Sequence, residues 1–318
     1  MSYPRHLTES YGLPVFTFPG PDGEDPTLPE ADAVAWRIAS DTYDAEESWT
    51  EAFARFTAAV DTTRVRAIVV GAWEDAYDDG PEEIIDALVA ARHGLPALRA
   101  LFLGDMESEE CELSWITQGD VGPLLDNFPD LEEFGVRGGS GLVFQPVTHR
   151  RLRSLTVETG GMPARAVRNI AASDLPALEH LDLWLGTANY GAECELTDVE
   201  PIMAGDRLPS LRHLALRNSD IQDEIATAMA SAPVVARLDT LDLSMGVLTD
   251  EGGAALLGGQ PLTHLKKLDL HHNYLSAPLE QRFRDTLEGA GVALALDRGR
   301  AYEDEWDGRT MRFVAVGE

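Results

Sequence analysis

The chain has 318 residues, 44% of them hydrophobic, which is enough for a large core and excludes both a disordered segment and a disulfide-stapled miniprotein. Fifty-five Asp and Glu against 25 Lys and Arg leave a formal charge of -30, so nucleic acid and anionic membranes are poor partners, because binding them needs clustered cations. Residues 1–130 carry seven basic and 27 acidic side chains, whereas 131–318 carry 18 and 28, and only Lys266 and Lys267 are lysines.

The first twenty residues lack the apolar stretch of a signal peptide, and no run approaches the roughly 18–20 apolar residues of a membrane span. Two cysteines, Cys111 and Cys194, cannot build a disulfide framework, and a reducing cytoplasm fits best. In chain order, LPVFTF (13–18) and AVAWRIAS (33–40) are strand-like and are separated by a Pro, Gly and Asp loop. SWTEAFARFTAAVD (48–61) reads as an amphipathic helix with Trp49, Phe53, Phe56 and Val60 inward. Residues 1–60 are thus expected to form an N-terminal cap.

From residue 61 one template recurs, L-x-x-L-x-L. Units start at Val65, Leu98, Leu131, Leu152, Leu178, Leu211, Leu238 and Leu265. Their fourth and sixth positions are apolar throughout: Ile68 and Val70, Leu101 and Leu103, Phe134 and Val136, Leu155 and Val157, Leu181 and Leu183, Leu214 and Leu216, Leu241 and Leu243, Leu268 and Leu270. Alternation at period two predicts a short strand with one buried face in each unit. Between the strands, DVGPLLDNFP (120–129), LTDVEPIMAGD (196–206), SDIQDEIATAMASAP from Ser219 and the segment after Thr249 read as helices, the last with Thr249 as N-cap. The link from Val136 to Leu152 is too short for a helix and is expected to turn on GGSG (138–141). Strand, return helix and parallel strand, repeated about eight times, stack into a curved solenoid, since no unit can bury its apolar face alone.

The units resemble leucine-rich repeats, whose template continues L-x-x-L-x-L-x-x-N-x-L; Leu265, Leu268, Leu270, Asn273 and Leu275 match it. Other units carry Ser219, Gly246, Gly139 or Gly186 at the ninth position, which departs from a regular Asn ladder. Repeat lengths near 27 and LTDEGGAALL (248–257) are similar to the ribonuclease-inhibitor-like class. The resemblance implies an α/β leucine-rich repeat solenoid, a right-handed β-α superhelix with a parallel concave sheet and convex helices, and a protein-binding role. The flanks MSYPRHL, PEADAVAWRIA and RFVAVGE resemble a bacterial leucine-rich repeat family of unassigned function. Members of that family are often encoded beside radical-SAM and ATP-grasp-like proteins. The repeats are expected over 61–290 and a C-terminal cap over 291–318, where VALALD (292–297) and MRFVAVG (311–317) flank an acidic turn; caps and repeats are expected to form one continuous domain.

Catalytic motifs are sparse. DAYDDGPEEIID (Asp75 to Asp86) partly fits calcium-loop spacing, but Tyr77 replaces an acidic position, and a solvated loop is the expectation. No phosphate-binding, nucleophile-elbow or zinc-helix motif occurs, and neither cofactor nor metal is expected. Cys111 and Cys194 are expected to be inert thiols. If positions four and six face the core, positions three, five and seven line the concave face. Over the last four strands this places His180, Asp182, Trp184, His213, Arg217, Asp242, Lys267, Asp269 and His271 side by side. We expect these residues to bind an unidentified protein or peptide partner, with Trp184 and Arg217 as anchors, on a monomer that is not an enzyme. A regulatory subunit of an enzyme complex and a metal-dependent hydrolase using the His and Asp cluster are the alternatives. Val69 and Phe102 form an earlier apolar patch, either a second binding surface or ground covered by the N-terminal cap.

Overall fold

The computed structural model describes residues 4–21 and 27–317; residues 1–3, 22–26 and 318 of the expected cap segments lie outside it. Among the described residues twelve strands form one sheet in strict sequence order: β1 (Glu9–Ser10), β2 (Leu13–Thr17), β3 (Ala35–Ile38), β4 (Ala67–Val70), β5 (Ala100–Leu103), β6 (Glu133–Arg137), β7 (Ser154–Glu158), β8 (His180–Gly186), β9 (His213–Ser219), β10 (Thr240–Asp242), β11 (Lys267–Asp269) and β12 (Ala293–Ala295). All neighbours pair in parallel except β1 and β2, which form an antiparallel hairpin. The fourth-position residues run in unbroken register from Ile68 through Leu101, Phe134, Leu155, Leu181, Leu214 and Leu241 to Leu268. The register extends beyond the eight units, to Trp36 on one side and Leu294 on the other. Every fourth- and sixth-position side chain is buried, and each such burial is worth about 1.5–3 kcal/mol relative to exposure.

The helices α1 (Trp49–Ala59), α2 (Glu82–Ala91), α3 (Gly122–Asn127), α4 (Ala164–Ala172), α5 (Leu196–Ala204), α6 (Gln222–Met229), α7 (Asp250–Gly258) and α8 (Ala277–Leu287) return the chain on the opposite side. Helix α1 starts at a capping box between Ser48 and Glu51 and buries Trp49, Phe53 and Phe56. Thr249 caps α7 as expected. Residues 138–153 contain no helix; Gly138 and Gly141 take positive φ, and Leu142, Phe144 and Val147 fill the space a helix would occupy. The Asn273 amide bonds Leu270 O at 2.7 Å and accepts from Leu275 N. Gln222 bonds Leu216 O at 2.9 Å and Gln118 bonds Arg137 O at 2.8 Å. The carbonyls at the strand ends are therefore satisfied without a regular Asn ladder.

Two expectations need correction. The segment 75–86 is not all loop, because α2 begins at Glu82, where acidic residues favour the helix N-terminus. The acidic stretch between VALALD and MRFVAVG is not simply a turn: β13 (Glu303–Trp306) and β14 (Arg309–Arg312) form a hairpin there, joined by Asp307 and Gly308 at positive φ. Asp-Gly is a two-residue hairpin turn. Residues 313–317, which follow β14, run across the ends of the main strands. Among the described residues no helix is long and apolar enough to cross a membrane.

Candidate functional site

The concave face is bounded by two terminal arms. At the N-terminal end, Leu7, Tyr11, Leu13 and Val15 pack on Ala35, Ala67, Val69, Ala100 and Phe102, so of the two readings of this patch the covered one applies. The arm is fixed by polar bonds. Leu7 N donates to Asp105 Oδ1 at 2.9 Å, His6 N to Glu107, and Tyr11 N to Glu133. Arg37 and Arg137 converge on the same Asp105 carboxylate, at 3.0 and 3.3 Å, and Arg137 also donates to Glu158 and to Arg5 O.

At the other end, residues 313–317 cross the carboxyl ends of β11 to β8. Val316 and Ala315 pack with Leu113, Trp184 and Met245, and Trp184 is only 7% exposed. Arg217 lies over the Trp184 ring, 4.9 Å from its centroid, and forks onto Asp182 with Asp242 at 3.7 Å. Burial works against the Arg217 charge, but the two carboxylates more than offset it and hold the guanidinium protonated. Sequence reasoning placed Trp184 and Arg217 together, and they are register partners on β8 and β9. It did not anticipate the tail over the indole.

His180 and His213 stack face to face with centroids 3.8 Å apart. Burial holds both below the usual histidine value, His213 at about 3, and the neighbouring His180 and Arg217 push His213 the same way. Asp269 takes His271 Nδ1 at 2.7 Å and Lys267 Nζ at 2.9 Å; burial, which would raise its pKa, is overcome by these bonds, and it stays well below the usual carboxylate range. Asp182, Asp242 and Asp269 are buried, His180, His213, Arg217 and His271 half-buried, and Lys267 exposed.

The histidine pair gives a pH prediction. The ordinary value of 6.5 applies to the unfolded chain and about 3 to folded His213, so below pH 6.5 the unfolded state takes up protons that the folded state refuses. Stability is unaffected above that point and declines as pH falls from about 6.5 toward 3. A lower thermal midpoint is expected at about pH 5.5 than at about pH 7, with a smaller drop in His213→Gln. An equal drop in both proteins would remove His213 from the account.

Between the arms a cavity of about 880 Å3 opens on the concave side. It is walled by Leu7, Trp184, Phe313, Val314 and Ala315, together with Arg5, Arg137, His271, His272 and Arg300. None of the expected partner-binding residues apart from Trp184 and His271 reaches it. Arg5 and Arg300 were missed because nothing in the repeat pattern points at the flanks. Cys111 and Cys194 are unbridged and half-buried, and burial pushes their thiols to about 11 and about 12, so little thiolate forms at neutral pH. Among the described residues no three His, Cys, Asp or Glu side chains are grouped to hold a metal ion.

A leucine-rich repeat family model matches residues 207–230 and 238–257, the β9–α6 and β10–α7 units. A solved protein from Bacteroides fragilis is similar over 85% of this chain and 73% of its own, at 27% identity and a TM-score of 0.74. An internalin from Listeria monocytogenes aligns at 17% identity with a TM-score of 0.38, over 73% of this chain and 54% of its own. No curated protein sequence matches the chain.

Proposed function

We propose that this leucine-rich repeat protein is a non-catalytic interaction scaffold that holds a protein or peptide partner on its concave face. The supporting observation is the cavity of about 880 Å3 between the terminal arms, within the volume range of sites that enclose a ligand group. Its apolar wall of Leu7, Trp184 and Phe313 stands beside Arg5 and Arg300, neither of which is in an ion pair among the described residues. In a chain of net charge -30, these two guanidiniums, at an opening where the lining carboxylate Glu158 is already taken by Arg137, favour a partner segment that carries carboxylates next to an apolar side chain. His180, His213, Lys267 and His271 are the polar surface along which such a segment continues, while Asp182, Asp242 and Asp269 hold that surface in place. The reading takes the terminal arms as caps of one continuous solenoid, in a reducing cytoplasm where Cys111 and Cys194 stay free.

The test is affinity purification of the full chain from its own cells with quantitative mass spectrometry, run beside Arg5→Glu with Arg300→Glu. Both arginines lie outside the ion-pair networks, so the variant should fold. At least a tenfold loss of the specifically enriched partner is expected. Equal recovery by both proteins, or no enrichment over an unrelated acidic protein, would sink the proposal.

A further inference from the structure

Residues 313–317 reach the solenoid chiefly through their main chain. His272 Nε2 meets Phe313 O at 2.9 Å, Ala315 N donates to Met245 O at 2.7 Å, and the Asn218 amide reads both sides of Val316, accepting from its N–H at 3.0 Å and donating to its carbonyl at 2.6 Å. Asn218, Met245 and His272 are the eighth residues of three successive repeats, and all three stand at positive φ, a conformation rare outside glycine. Each repeat thereby turns a polar group toward the rim, and the Leu265 repeat adds Tyr274, whose hydroxyl accepts from Phe313 N at 2.9 Å and donates to Phe313 O at 2.8 Å. The spacing fits an extended chain laid across the strands: two inter-strand steps are about 10 Å, and so are three extended residues. Beyond the third repeat, Ser114 Oγ bonds Gly317 O, and a Cβ on Gly160 would stand 2.1 Å from that carbonyl, so glycine is what lets the chain pass.

We propose that this rim is a receptor for an extended main chain with a small apolar side chain, that the protein's own residues 313–317 are its resident ligand, and that their release uncovers Trp184 and opens one wall of the cavity. Two observations favour a segment that can leave. The preceding hairpin β13–β14 is exposed along its whole length, so it tethers the tail while adding little to the core. With the tail in place the buried Trp184 Nε1–H has no acceptor among the described residues, a standing penalty of the covered state. Opposing release, Asn218 is fully buried and would lose both its bonds to Val316, keeping one to Thr159 O at 3.5 Å, and the Tyr274 hydroxyl would lose Phe313. A receptor is expected to show this balance when its ligand is tethered, since tethering supplies a high effective concentration. The inference does not depend on the partner reading and would stand if no protein bound the concave face.

The test uses the full-length chain carrying Val316→Asp, which sets a carboxylate among Leu113, Trp184 and Met245. A fluorescent peptide with the sequence of residues 312–317, RFVAVG, is titrated into it and into the wild type. The variant is expected to bind the peptide at least tenfold more tightly than the wild type, whose groove is filled, and Asn218→Ala in the variant background should abolish at least tenfold of that affinity. Equal binding by wild type and variant, or none by either, would overturn the proposal. A wild-type dimer on size exclusion that Val316→Asp converts to monomer would overturn the assignment of the chain's own tail, since the occupant would then be a second copy. Should Val316→Asp misfold, hydrogen exchange on the wild type decides: the amides of Ala315 and Val316 are expected to exchange at least a hundredfold faster than those of Leu214 and Leu216, and equal protection would overturn a releasable tail.

Discussion

Asp105→Ala is expected to destabilise the protein by about 3–5 kcal/mol, the cost of removing one member of a buried ion-pair group. Asp105 has no exposed surface, and Arg37 and Arg137 are 7% and 2% exposed. The carboxylate takes Arg37 Nε at 3.0 Å, Arg137 Nη1 at 3.3 Å and the Leu7 amide at 2.9 Å. Alanine would leave two guanidiniums facing a dry void. Glu110 and Glu158 each reach one of the arginines, but neither can take the place between them. Asp105→Asn keeps an acceptor for the Leu7 amide and should cost less. Urea denaturation gives the free energy, and a loss under about 1 kcal/mol would mean that water reaches the site. A second consequence is local. With the Leu7 bond gone, the N-terminal arm loses its central fixing point, so amides of Leu13 and Val15 should exchange faster than those of β9.

The same site shows where sequence reasoning succeeds and where it stops. Leu155 and Val157, or Leu241 and Leu243, could be assigned to a core because strand burial follows a period of two that is written in neighbouring residues. The repeat of that period indicated strand order and register as well, since each unit of a solenoid packs only on its sequence neighbours. Asp105 carries no such signature; it is one of many acidic residues after a strand, and its partners lie 32, 68 and 98 positions away in the chain. Trp184 failed differently. Alternation correctly assigned it to the concave side, but its cover comes from residues more than 130 positions later. The stretch containing Asp307-Gly308 did hold a local clue, because the dipeptide marks a two-residue hairpin whose exit directs the tail back across the strands. Local periodicity thus specifies the solenoid, and the arms that shape its concave face depend on long-range contacts that periodicity does not record.

Gly186→Ala is expected to cost about 3–5 kcal/mol, more than a glycine in an exposed turn. Gly186 stands at φ 78° at the end of β8, and an L residue in that region costs about 1–2 kcal/mol. The larger part is steric. Residues 160–161 cross at this point in an antiparallel bridge, and a Cβ on Gly186 would lie 2.0 Å from Gly160 O, a clash with backbone that no side-chain rotation relieves. Gly191 separates the two effects: its φ is 89° but a Cβ there meets nothing within 4 Å, so Gly191→Ala should lose only about 1–2 kcal/mol. Equal losses in the two variants, measured by denaturation, would show that the crossing segment yields freely. If it does not yield, the consequence extends to the rim, because Gly160 is the residue over which Gly317 passes. Pushing residues 160–161 away from β8 shifts the seat of the tail, so Gly186→Ala should loosen residues 315–316 in hydrogen exchange even where the solenoid stays folded, while Gly191→Ala should leave them as they are.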